Sequence, residues 1–167
     1  EGVMRSLVYS ARIAVKNPHD YEARSNIMWC ATIGLNTITG LSKEQDWEVH
    51  MIEHQLGAYT DCAHGAGLAA ISVPYYKYIC KYGIDKFVRF AENVWGIDIS
   101  GMSKEEAALA GIDKLTGFIR ELGLPLTLRE LGASEDMLAP IANSTVLGGG
   151  YKQMSPGDIL KVLKECY

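Results

Sequence analysis

The sequence has no long apolar run. No stretch reaches the ~18 residues that would cross a bilayer as a helix, which excludes a helical membrane anchor in this segment. Nothing resembling a secretory leader stands at its start, where an amphipathic helical pattern begins at once. No segment is strongly basic. The net charge of −4 and a sequence pI of about 5.6 argue against a nucleic-acid partner. The four cysteines (Cys30, Cys62, Cys80, Cys166) show no C-x-x-C spacing. That excludes the common zinc-ribbon and dithiol redox motifs and points to free thiols in a reducing, cytoplasmic setting. Internal repeats, low-complexity tracts and Gly/Pro/Ser-rich linkers are absent. Alternating β-branched patterns are nearly absent too, which argues against a sheet.

What remains is a chain of 167 residues, 48% apolar, enough for one domain with a sizeable core. Helical periodicity fills it. Residues 2–16 read as an amphipathic helix broken by Asn17-Pro18. Residues 20–39 read as a long helix closed by Gly40. Ser42 with Gln45 suggests a capping box for a helix running to about Ala58. Residues 66–82 read as a buried helix with a kink or break at Pro74. Residues 84–95 and a stripe from Ala108 to Leu122 follow, the latter opened by Ser103 with Glu106 and closed by Gly123. Ser134 opens a short helix, and Ser155-Pro156 opens the last, to about Glu165. The expected fold is all-α, with roughly eight helices.

Three of the four histidines lie within fifteen residues: His50, His54 and His64. Neutral imidazole is the commonest protein ligand for transition metals. Positions 50 and 54 share one helix face. His64 lies fourteen residues after His50 (64 − 50), just before a Gly-rich stretch read as the end of the helix. The pattern suggests half of a metal site, on a helix and the turn that follows it. Two imidazoles rarely hold a divalent ion alone. The further donors implied are His54, Asp61, Cys62 or groups outside this chain. Against this stands the plainer alternative of histidines satisfied in a helical core.

Other motifs compete. HMIEH (50–54) is a literal H-x-x-E-H, the signature of a zinc peptidase with His50 and His54 as ligands, Glu53 as general base and Glu130 available as a distant acidic ligand. A non-catalytic helical module that binds another polypeptide is a further alternative. GGGYK (148–152) lacks the spacing of a phosphate-binding loop and reads as a plain connection. Asn143-Ser144-Thr145 is a glycosylation sequon without meaning in a cytosolic protein. Trp29, Trp47, Tyr75 and Tyr76 read first as core or interface aromatics.

The stretch EHQLGAYTDCAHGAGLAAISVPYY resembles the C-terminal helical domain of the iron-containing alcohol dehydrogenases, in their butanol dehydrogenase branch. So do NPHDYEARSNIMWCATIGLNTITG with DWEVHMIEHQL, then GIDKLTGFIRELGLPLTLRELGASEDML and the ending GGGYKQMSPGDILKVLKECY. The resemblance covers essentially the whole chain, and HMIEHQL plus AHGAGLA at this separation is its specific element. It implies a multi-helical domain of the dehydroquinate synthase-like type, spanning residues 1–167. It implies that the nucleotide-binding N-terminal domain, and a D-x-x-x-H helix carrying an Asp and a His ligand, lie outside this chain.

The resemblance assigns His50 and His64 as metal ligands and His54 as an active-site histidine that does not ligate. The implied ion is Fe²⁺, with Zn²⁺ as an alternative. The implied reaction is hydride transfer between a primary alcohol or aldehyde and NAD(H) or NADP(H), at an oxygen polarised by the metal. Trp29, Leu35 and Trp47 flank the metal helix and are candidates for shaping the substrate pocket. No residue of this chain is assigned to the nucleotide. A homodimer is expected at full length. The 167 residues alone are expected to be inactive and to hold metal weakly.

Overall fold

The computed structural model describes residues 1–148 and 150–167, and every regular element in them is helical. Eight α-helices follow one another: α1 (Gly2–Lys16), α2 (Tyr21–Leu35), α3 (Glu48–Thr60), α4 (His64–Ile79), α5 (Ile84–Arg89), α6 (Lys104–Glu121), α7 (Glu135–Ser144) and α8 (Pro156–Glu165). A π-helical segment, Phe90–Val94, continues α5. The described residues form two compact units. The first comprises residues 1–43 and 85–122; the second comprises 44–84 and 123–167.

In the first unit α1 packs on α2, and α6 on the π-helical segment. Gly111 of α6 permits the latter approach, because a Cβ there would stand 2.9 Å from that of Ala91. Ser103 and Glu106 form a reciprocal capping box at the start of α6, as their spacing predicts. In the second unit α3 packs on α4 and α7, and α8 packs on α4 and α7. Its buried side chains include Ile52, Leu56, Ile71, Tyr75, Leu138, Ile141, Ile159 and Leu163. Ser155 and Asp158 cap α8, with Pro156 at its first position.

Several boundaries differ from the sequence pattern, each for a local reason. Helix α2 stops at Leu35. There the Asn36 side chain takes the Ile38 N–H at 3.2 Å, Thr37 turns left-handed (φ 70°), and a short 3-10 turn follows. The next helix starts at Glu48. Ser42 adopts φ 59°, outside a helix, and Asp46 supplies the acceptor for the Glu48 N–H at 3.0 Å. Pro74 does not break α4, which runs from His64 to Ile79, and Pro140 likewise sits inside α7. The Gly-rich stretch does not end a helix. Gly65 and Gly67 lie inside α4. Of GGGYK, Gly149 lies outside the described residues; Gly148 and residues 150–152 are loop.

The loop after α7 is tied down by charge. Lys152 Nζ donates to Asp158 Oδ2 at 2.7 Å, and the Tyr78 hydroxyl donates to Asp158 Oδ1 at 2.5 Å. These two bonds hold the Asp158 carboxyl well below the ordinary aspartate range, and Tyr78 is pushed up to about 12, mainly by the same bond. A depressed folded-state pKa contributes stability above the unfolded value, ~3.9, and that stability is lost as pH falls through the folded value. Asp158→Asn is therefore expected to lower the urea midpoint at pH 7. Its deficit against the parent should shrink as pH is taken below about 3, as protonation then removes the parent's advantage too. An equal deficit at both pH values, or none at pH 7, would refute this role.

Candidate metal centre

Helix α3 carries Val49, Ile52 and Leu56 on one face, all buried. At ~100° per residue, this stripe fixes the rotation of the helix. His50 and His54 are thereby turned toward its flank, half-buried and exposed respectively. Glu53 falls angularly between the stripe and the two histidines, and it is 2% exposed. The helix ends at Thr60; the Asp61 N–H makes the last helical bond, to the Gly57 carbonyl at 2.8 Å, and the left-handed Asp61 backbone (φ 52°) turns the chain out of the helix. Asp tolerates that conformation better than most residues. Only Asp61, Cys62 and Ala63 separate α3 from α4, so the chain reverses at once and His64 becomes the first residue of α4. It is a helix-start residue, not one on a trailing turn.

The reversal brings the three rings together. Centroids lie 5.2 Å apart for His50 and His64, 5.5 Å for His54 and His64, and 6.3 Å for His50 and His54. One ring nitrogen from each lies within 4.8 Å of the others'. Two imidazoles on one tetrahedral ion hold their nitrogens about 3.3 Å apart, so the three nitrogens are grouped on the scale of a shared ion. Burial, followed by the neighbouring imidazoles, lowers the His50 pKa. This favours the neutral form that ligates metals. Trp47 adjoins the cluster, with its ring 5.0 Å from that of His50.

Glu53, which the H-x-x-E-H spacing suggests as a peptidase base, instead adjoins the histidine cluster. Its Oε2 accepts the Nδ1 hydrogen of His64. A hydrogen on Nδ1 would leave the lone pair of His64 on Nε2. A carboxylate behind a ligating histidine is the usual support of a metal site. The donor set thus fits a divalent transition metal. The one signal that could have found this is the pairing of Glu53 with the small residue Gly67, three positions after His64.

The other candidates do not join the cluster. Among the described residues, His50, His54 and His64 are the only group of three or more side chains placed to hold an ion. Neither Asp61 nor Cys62 belongs to it. Glu130 instead accepts from the Leu126 and Thr127 N–H groups and the Thr127 hydroxyl, closing its own turn. The peptidase alternative needs Glu53 facing an open cleft; it is buried against His64. Trp29 and Leu35 lie on α2, in the first unit. Both are exposed, so Trp29 is not a core residue of this chain, whereas Tyr75 is fully buried.

The profile described as "Fe-containing alcohol dehydrogenase family, C-terminal" matches residues 1–167. The chain belongs to the iron-containing alcohol dehydrogenase family. Within that family it is 34% identical to NADH-dependent butanol dehydrogenase A of Clostridium acetobutylicum and 35% identical to butanol dehydrogenase B of the same organism. These alignments cover 100% and 99% of this chain, and 44% of each relative. The crystal structure of a butanol dehydrogenase A from Thermotoga maritima superposes with a TM-score of 0.91 at 30% identity, over 99% of this chain and 44% of the other. This chain therefore spans less than half the length of these iron-containing alcohol dehydrogenases. The matched portion corresponds to the family's helical C-terminal domain, and the all-α fold agrees with it. No helix among the described residues is long and apolar enough to cross a membrane.

Proposed function

We propose that this chain is the metal-binding portion of a longer, cytoplasmic, NAD(P)-dependent alcohol dehydrogenase that interconverts primary alcohols and aldehydes. The observation carrying this reading is the convergence of His50, His54 and His64, with His64 held from behind by Glu53. The family relatives that cover the whole chain support it by name, two of them being NADH-dependent butanol dehydrogenases. In this reading His50 and His64 hold the ion, Fe²⁺ or Zn²⁺. Two further protein ligands and the nucleotide-binding domain come from the remainder of the same protein, and the full-length enzyme pairs with a second copy.

When bound, the ion supplies Lewis acidity at the substrate oxygen, and the nicotinamide supplies or takes the hydride. His54 lies one turn from His50 and is exposed. It is free to hand a proton to, or take one from, the alcohol oxygen through its imidazole. The Trp47 ring lies 5.0 Å from that of His50. It also presents apolar surface where a short alkyl chain would lie.

The test is a nicotinamide absorbance assay with butanal, in the presence of Fe²⁺ or Zn²⁺. The protein of relatives' length should consume NADH or NADPH, and residues 1–167 alone should not. Activity from residues 1–167 by themselves, or none from the longer protein with either metal and either nucleotide, would contradict the reading.

A further inference from the structure

Glu53 and Gly67 stand in an arrangement that composition does not require. A glutamate 2% exposed is costly unless its charge is answered. Here the partner is the His64 imidazole, whose side chain is 52% exposed. The carboxylate reaches it by passing over Gly67. A Cβ at position 67 would lie 2.7 Å from Glu53 Cγ and 2.8 Å from Oε1. Both are closer than real Cβ contacts allow, and the displaced atoms would be a buried side chain held by its hydrogen bond. Gly57 lies on the other side, where a Cβ would stand 3.5 Å from the same oxygen. Gly67 has an ordinary helical backbone, so its lack of a side chain is a matter of space and not of φ.

We propose that Glu53 is a positioning residue for the metal centre, and that Gly67 exists to give it room. By accepting the Nδ1 hydrogen, Glu53 fixes His64 in one tautomer and one ring orientation, with the bare Nε2 turned to the shared site. It also places a negative charge behind the ligand, which strengthens the imidazole as a donor. His50 has no such carboxylate bonded to it among the described contacts, so the two ligands are supported unequally. The proposal rests on the metal-site reading above, but the tautomer it assigns is a property of the metal-free protein.

That separation sets the experiment. Nitrogen chemical shifts of the His64 ring, read by long-range proton–nitrogen NMR on the metal-free protein, report the tautomer directly. The parent should show Nδ1 protonated. Glu53→Ala should move His64 to the Nε2-protonated form that free histidine prefers. Glu53→Gln keeps an acceptor and should keep the Nδ1–H form, which a general structural lesion would not do. In the longer protein, Zn²⁺ affinity by chelator competition should fall about 10- to 100-fold in Glu53→Ala, less in Glu53→Gln, and in the same direction in Gly67→Ala. Circular dichroism confirms that each variant remains helical.

An Nε2–H tautomer in the parent would overturn the proposal, as would a tautomer and Zn²⁺ affinity both unchanged in a folded Glu53→Ala. A protein that binds Zn²⁺ in this manner but reduces no aldehyde would overturn the dehydrogenase reading and leave Glu53 in its role. A parent with the expected tautomer but no metal affinity would overturn the metal centre, leaving only the histidine clamp.

Discussion

His64→Ala, in the protein of relatives' length, is expected to lose bound metal and aldehyde reduction together. The substitution removes the ligand that opens α4 and the only partner seen for the buried Glu53 carboxylate. What is left behind is the Glu53 carboxylate opened to solvent where the half-exposed His64 ring stood, without the ring nitrogen that would hold an ion. Lewis acidity contributes several kcal/mol to such reactions, and about 4 kcal/mol corresponds to roughly a thousandfold in rate. Turnover should therefore fall by at least ~1,000-fold, with metal per chain near zero by elemental analysis. Normal metal content in a folded His64→Ala protein would show that His64 is not a ligand.

His54→Ala should separate the two properties. His54 shares the cluster, its ring centroid 5.5 Å from that of His64, yet it is exposed and no carboxylate fixes it. Assigned to proton transfer, it should leave metal content unchanged and lower kcat by about 10²- to 10⁴-fold. The loss should be smaller at high pH in the oxidation direction, where hydroxide can take the proton. Metal loss equal to that of His64→Ala would make His54 a third ligand.

The helical architecture was largely legible because its signals are local. Ser103 with Glu106 and Ser155 with Asp158 are capping boxes that specify their own helices. The i,i+4 spacing of His50 and His54 placed both on α3 without tertiary information. The start of α3 was misplaced because Ser42 and Gln45 match a capping pattern, whereas the operative acceptor is Asp46, pinned by the Tyr75 hydroxyl at 2.8 Å. That bond joins residues twenty-nine apart in sequence. The Gly-rich stretch after His64 was read as a stop signal, yet in α4 its glycine at 67 answers to a glutamate fourteen residues earlier. For Glu53 the sequence suggests only a peptidase base, since periodicity cannot say that a carboxylate on the edge of a buried stripe will turn to a histidine on the next helix. Trp29 reads in the sequence as a core or interface aromatic, and α2 leaves it 65% exposed, because the burial of an apolar helix face depends on what packs there.

The claim on which all of this depends is that His50 and His64 hold one ion between them and His54 does not. Anomalous diffraction from crystals of the longer protein, collected on both sides of the iron or zinc absorption edge, measures this directly. A single peak is expected, bonded to a ring nitrogen of His50 and to Nε2 of His64 at about 2.0–2.2 Å, with Glu53 still on Nδ1 of His64 and His54 outside bonding distance. A peak bonded to His54 in place of either ligand, or bonded through Nδ1 of His64, would contradict it.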